Sequence, residues 1–191
     1  MINLLFRLCY KIIGWKLVGN LDPNTKQSIL AVCPHNRTAD FTIGLFVRAA
    51  MKINVRYLGK AELFNGPFGF FFRAMGGTPV VRTANNNMVD NIVETFKTNP
   101  DLNIAIAPEG TRRQVSKIRT GFYFIALKAN LSIIMVGFDF PRKTVFVADP
   151  FKPSGDFEKD MQEIFVPFFR TIQGPQKEWM DNYEKGIFDK K

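Results

Sequence analysis

The chain contains a single histidine, His35, and Asp40 stands five positions after it in the stretch PHNRTAD (34–40). An imidazole serves as a base near neutral pH when it is held in one tautomer, and a carboxylate on its far nitrogen does that. His35 would then take a proton from a hydroxyl, while Asp40 would stabilise the imidazolium that forms. Five residues of an ideal helix turn through about 140°, so the two cannot share a helix face. They meet if His35 lies in a loop and Asp40 in the first turns of the helix that follows. The alternative is a loop histidine beside an aspartate that only starts a helix.

Two further groups carry charge directly after apolar runs. Arg82 ends GGTPVVR (76–82), and Glu109, Gly110, Thr111, Arg112 and Arg113 follow LNIAIA (102–107), with Lys117 and Arg119 beyond. Backbone N–H groups at a Gly-Thr turn, a hydroxyl and guanidinium forks together suit a phosphate. Glu109 fits such a turn if it orients an arginine or binds substrate hydroxyls. Taken alone, the turn reads equally as a solvated charged loop. Cys33, two residues before His35, offers a thiol nucleophile, or simply a small apolar side chain in a sheet. No G-x-S-x-G occurs, which disfavours a serine hydrolase. One histidine and two scattered cysteines do not assemble a zinc site of the usual ligands.

These residues must be placed by the elements around them. WKLVGN, SILAVC, NVRYLG, TPVVR, LNIAIA, SIIMVGFD and TVFVAD read as strands. Helical spacing recurs over 39–51, over 61–77 with a break at Asn65-Gly66-Pro67, and over 87–97, 121–130 and 156–170, the last interrupted at Pro167. Strand and helix alternate. The expected fold is therefore α/β, a single domain with a mixed sheet flanked by helices. His35 and the Glu109 turn both fall where a strand gives way to a loop, which is where sites in such domains collect. Phe64, Phe68, Phe71 and Met75, spaced by four, three and four, are expected in the core, with an acyl-chain tunnel as the alternative.

The 191 residues, 46% apolar and 23% charged, suffice for one packed domain. The formal charge of +9 points to an anionic membrane, an acidic protein or nucleic acid. No nucleic-acid-binding signature accompanies it, so charge alone would carry that reading. Two unspaced cysteines indicate a reducing compartment. Residues 1–17 place Asn3, Arg7, Lys11 and Gly14 on one narrow stripe of an otherwise apolar helix. Such a helix spans only about 25 Å, too short for the hydrocarbon core of a bilayer. It reads as an amphipathic helix at a membrane interface, or as a helix packed under the domain. The domain organisation on this reading is an interface helix over 1–17 and one catalytic domain over 18–191.

In this order, PHNRTAD, GGTPVVR, PEGTRR and the apolar SIIMVGF resemble the four blocks of the lysophospholipid acyltransferase family, over about residues 15–140. The resemblance implies transfer of an acyl group from an acyl thioester to a lysolipid hydroxyl, such as that of 1-acylglycerol-3-phosphate. By it, His35 is the general base and Asp40 its orienting partner. Arg82 is a phosphate-binding arginine, and Glu109, Gly110, Thr111 and Arg112 bind the acceptor. The implied donor is acyl-CoA or an acidic acyl-carrier protein, with no cofactor or metal beyond it. The implied location is peripheral, on the cytoplasmic face of an anionic membrane, and no nucleic acid is expected as partner. Pro34, Ala107 and Arg113 depart from the family's usual residues. The last would accommodate a larger or differently charged headgroup. A rival reading is an acyltransferase for a non-phosphate acceptor, such as a lyso-aminolipid or a lipid A precursor, which would need Arg82 and Arg112 less. A non-catalytic membrane-binding relative is the remaining alternative.

Overall fold

The computed structural model describes residues 6, 8, 10, 12–19, 21–22, 25–35, 39–51, 53–80, 88–174 and 177–188. The expected strands all form. They are β1 (Lys16–Val18), β2 (Ser28–Val32), β3 (Val55–Lys60), β4 (Gly77–Val80), β5 (Asn103–Ile106), β6 (Ser132–Asp139) and β7 (Thr144–Val147). They build one seven-stranded sheet in the order β1-β7-β6-β2-β5-β3-β4. Every pairing is parallel except β6 with β7, so the sheet is mixed.

Parallel strands are buried on both faces, which is why they appear in sequence as unbroken apolar runs. In β2, Ile29 and Ala31 enter one core while Leu30 and Val32 enter the other. Helix α1 (Ala39–Met51) covers the Leu30 face through Ile43 and Val47. The short helices α2 (Ala61–Asn65) and α3 (Gly69–Ala74) pack near β4 at the sheet's edge. The opposite face is larger. It is covered by α4 (Met88–Thr98), α5 (Gly121–Lys128), α6 (Phe157–Asp160), a π-helical turn (Met161–Phe165), α7 (Val166–Arg170) and α8 (Glu178–Glu184). Phe122, Phe165, Phe169 and Trp179 are fully buried there. Each is worth about 1.5–3 kcal/mol or more of transfer free energy.

Four expectations need correction. The N-terminal helix stops well before residue 17: Phe6, Leu8, Tyr10 and Ile12 are helical, and the chain turns at Ile13-Gly14. Gly14 has φ 71°, and Lys16–Val18 pair with β7, so residues 16 and 17 belong to the sheet. Phe64 and Met75 are buried as expected, but Phe68 and Phe71 are 68% and 47% exposed. The helix that holds Phe64 ends at Asn65 and the next starts at Gly69, with Gly66 and Pro67 between, so a single helical register no longer relates them. The stretch 157–170 stays helical past Pro167, but its winding changes to π over Met161–Phe165, immediately before the turn that carries the proline. Helix α8 was not anticipated at all.

Parallel pairing brings the site together. β2 and β5 lie side by side with Ala31 opposite Ile106. Their carboxyl ends therefore deliver His35 and the Pro108–Arg113 turn to one edge of the sheet. The chain leaves β2 toward α1 on one face and β5 toward α5 on the other. A crevice opens at such a divergence.

Candidate active site

His35 lies in the loop after β2, and Asp40 is the second residue of α1. The imidazole folds back over the helix start, and its Nδ1–H donates to Asp40 Oδ2 at 3.0 Å. An acidic residue in the first helical turn is also favoured by the helix dipole. Asp40 is 2% exposed and His35 23%, so the carboxylate is sealed beneath an imidazole that reaches solvent. The Nε2 of His35 accepts a long hydrogen bond, 3.4 Å, from Arg112 Nε. Both contacts fix the same tautomer, with the proton on Nδ1 and the lone pair on Nε2. That is the form a general base requires.

The turn after β5 is wound so that its cations face the crevice. Gly110 has φ 65°, and a Cβ there would stand 2.5 Å from Arg119 Nε, so this position needs glycine twice over. Gly110 N–H donates to Ala107 O at 3.0 Å, Arg119 N–H to Pro108 O at 2.9 Å, and the Thr111 hydroxyl accepts from Arg113 N–H at 3.2 Å. A pocket of about 570 Å³ results, lined by His35, Thr111, Arg112, Arg113 and Arg119 and also by the apolar Leu58, Met88, Ile92, Ile106, Phe122 and Ile125.

Glu109 does not join them. Its side chain is fully buried and points into the protein: Oε2 accepts from the His35 backbone N–H at 2.6 Å, and Oε1 from Trp179 Nε1–H at 3.1 Å. Lys177 Nζ lies 3.6 Å from Oε1 and is itself 3% exposed. The expectation that Glu109 binds the acceptor is therefore replaced by a structural one. Both oxygens are already committed beneath the catalytic loop.

A second cavity, of about 180 Å³, opens on the other side of His35, between α1 and the sheet. Leu30, Val32, Gly44, Val47, Val55, Val136 and Phe138 line it, so it is almost wholly apolar. It runs along α1 from Asp40 to Met51, a rise of about 16 Å. Two arginines, Arg48 and Arg56, are set in its wall. Arg48 donates to Val55 O at 3.0 Å and Met75 O at 2.7 Å, and burial lowers its pKa. Gly76 makes room for it, since a Cβ there would meet Arg48 at 1.9 Å.

Cys33 is fully buried in the larger core, and burial, then the charge of Glu109, pushes its thiol well above the usual range. It packs as a small apolar residue, and a thiolate nucleophile is disfavoured there. Arg82 lies outside the described residues. Of the two cations beyond the Gly-Thr turn, Arg119 lines the pocket beside it, whereas Lys117 turns away to the Phe188 ring and Glu158. Lys177 and Trp179 carried no sequence signal, being a lysine and a tryptophan in a segment without a motif.

His35 thus stands where an apolar cavity and a pocket lined by three arginines meet at one edge of the α/β sheet. The family model described as Acyltransferase matches residues 17–139. The chain belongs to that family and is an acyltransferase. Among solved structures it is similar to the crystal structure of the 1-acyl-sn-glycerophosphate (LPA) acyltransferase, PlsC, from Thermotoga maritima. That likeness has a TM-score of 0.57 at 15% identity and covers 100% of this chain and 79% of the other. It speaks for the fold. No curated protein matches the sequence.

Proposed function

We propose that this acyltransferase moves a fatty acyl group from an acyl thioester to the hydroxyl of a lysophospholipid such as 1-acylglycerol-3-phosphate. The observation that carries the reading is the position of His35, which lines both the apolar and the cationic cavity. The apolar lining of the first suits the chemistry of a fatty chain, and the guanidinium groups of the second suit a phosphate. Nε2 takes the proton of the acceptor hydroxyl, whose oxygen attacks the thioester carbonyl carbon. The C–S bond then breaks, and the proton on Nε2 passes to the departing thiolate. Asp40 stabilises the imidazolium between the two transfers. Arg112, Arg113 and Arg119 hold the phosphate, with Arg82 as a fourth candidate, and no cofactor takes part beyond the donor. Three cations around one pocket favour a phosphate acceptor over a lyso-aminolipid.

The acceptor is a lipid, and the +9 charge suits an anionic bilayer and an acidic carrier protein as donor. Among the described residues no helix is long and apolar enough to cross a membrane. In the N-terminal helix Phe6 stacks on Phe46 and Tyr10 meets the smaller core, while Leu8 and Ile12 are 56% and 75% exposed. One side thus holds the domain, and the other is free to enter a lipid interface from the cytoplasmic face. The test is a transfer assay of the purified protein on lysophosphatidate, a lysolipid lacking phosphate and a lyso-aminolipid, with acyl-CoA and acyl-carrier protein as donors. Transfer to lysophosphatidate is expected to be fastest; a preference for an acceptor without phosphate would overturn the assignment.

A further inference from the structure

We infer that Lys177 and Trp179, which lie beyond the residues matched by the family, are positioning residues for His35. The inference rests on the reading of His35 as the base. It starts from Glu109, a carboxylate with no exposure whose Oε2 holds the His35 backbone N–H at 2.6 Å. A buried carboxylate persists as an acceptor only where its charge is met by partners. Here they come from the C-terminal segment, 70 residues away for Trp179: its indole N–H at 3.1 Å and the buried ammonium of Lys177 at 3.6 Å. The chain from Lys177 through Glu109 to the His35 backbone is therefore continuous.

The same helix grips the other half of the site. Asn182 Nδ2 donates to Ser116 O at 2.8 Å, within the loop between Arg113 and Arg119. Trp179, Met180 and Tyr183 are buried in the larger core and anchor α8. α8 thus sets both the height of the imidazole above the sheet and the loop that carries the cations. A small displacement of a base costs rate more than binding, because it touches the near-attack geometry. Loss of the Lys177 charge would leave Glu109 as an unpaired buried anion, free to draw water or to swing off the His35 amide.

Lys177→Met keeps the volume and removes the charge, and Trp179→Phe keeps the ring and removes the donor. Each is expected to lower kcat by about ten- to a hundredfold, with the acceptor KM within about twofold. Placing Lys177→Met on Glu109→Gln should cost far less than on the native background, since the neutral amide needs no counter-charge and its oxygen still accepts from the His35 N–H. A readout independent of turnover is available because His35 is the sole histidine. Labelling histidine with ¹⁵N gives one backbone amide signal, which a short bond to a carboxylate shifts downfield and protects from exchange. In Lys177→Met and Trp179→Phe it should move upfield and exchange about tenfold faster.

Folded variants with native kcat and an unmoved amide signal would overturn the inference, as would a fall in kcat without movement of that signal. Equal losses from Lys177→Met on both backgrounds would also overturn it, by showing that Lys177 does not act through Glu109. If the native protein transfers acyl groups to no acceptor, the proposed function fails by itself, and the amide signal still decides the contact.

Discussion

The two cavities that meet at His35 differ in how they were built and in how visible they are. The cationic one is made by a loop: a glycine with positive φ turns it, and guanidinium groups that follow line a crevice. The apolar one lies where α1 stands away from β2, β3 and β6. Its lining residues are of the same types as those in the core proper. The cations are thus supplied by a short run of chain, and the apolar lining by the packing of distant elements. The imidazole belongs to both because β2 ends between them.

This contrast yields expected effects of decreasing size. Removing what both cavities share should cost most. His35→Ala is expected to lower kcat by about 10²–10⁴-fold with the fold intact, measured in single-turnover assays on protein of native Tm. Asp40→Asn should cost about a hundredfold or more through loss of tautomer control, and native turnover in either folded variant would end the base assignment.

Next come changes on the cationic side. If Arg112 grips the phosphate, it makes a charge-assisted hydrogen bond worth about 1.5–3 kcal/mol. Arg112→Ala should then lower kcat/KM for lysophosphatidate by about ten- to a hundredfold. Lysine at that position should rescue only in part, because it keeps the charge and loses the fork. The loss should be small for an acceptor without phosphate. Equal losses on both would move Arg112 from acceptor recognition to another task, such as holding His35 through the 3.4 Å contact.

Changes on the apolar side should be smaller and confined to the donor. Gly44 lies on α1 in the cavity wall, and an added Cβ would sit 3.7 Å from Phe138 Cζ, an ordinary contact. Gly44→Ala should therefore be tolerated, while Gly44→Leu should fill space and lower transfer of long acyl chains about tenfold relative to short ones. Chain-length profiles of the two variants check this; an unchanged profile for Gly44→Leu would remove the chain from this cavity.

The smallest effect on turnover of a soluble assay should come from the exposed side of the N-terminal helix. Leu8→Ser with Ile12→Ser is expected to weaken binding to anionic vesicles while leaving kcat unchanged, and added salt should weaken binding further. Sedimentation with vesicles reads it. Point changes serve better than deletion, because Phe6, Tyr10 and Ile13 pack on the domain. Vesicle binding equal to that of the native chain would remove this face from the interface.

The sequence made the strands and the His35–Asp40 pair legible for a common reason. Parallel strands buried on both faces read as continuous apolar runs, and a lone histidine before a helix has few explanations. Other features were hidden by physics that acts across the chain. Glu109 stands among acceptor-like residues yet turns inward, because its partners lie at Lys177 and Trp179, which no local pattern connects to it. Phe68 and Phe71 continue the spacing of Phe64, but the break at Asn65-Gly66-Pro67 resets the register and leaves them outside. The apolar cavity has no signature, since a residue beside a gap and one beside another side chain are written alike.

The central claim is that His35 works between two cavities of separate purpose, and one crossed assay tests it most directly. Native protein, Arg112→Ala and Gly44→Leu would each be given long and short acyl donors together with acceptors bearing and lacking phosphate. The expected result is a clean separation: Arg112→Ala changes the ratio between acceptors and leaves the donor profile alone, while Gly44→Leu does the reverse. If Arg112→Ala altered the donor profile, or Gly44→Leu the acceptor ratio, the two cavities would not have the roles given to them here.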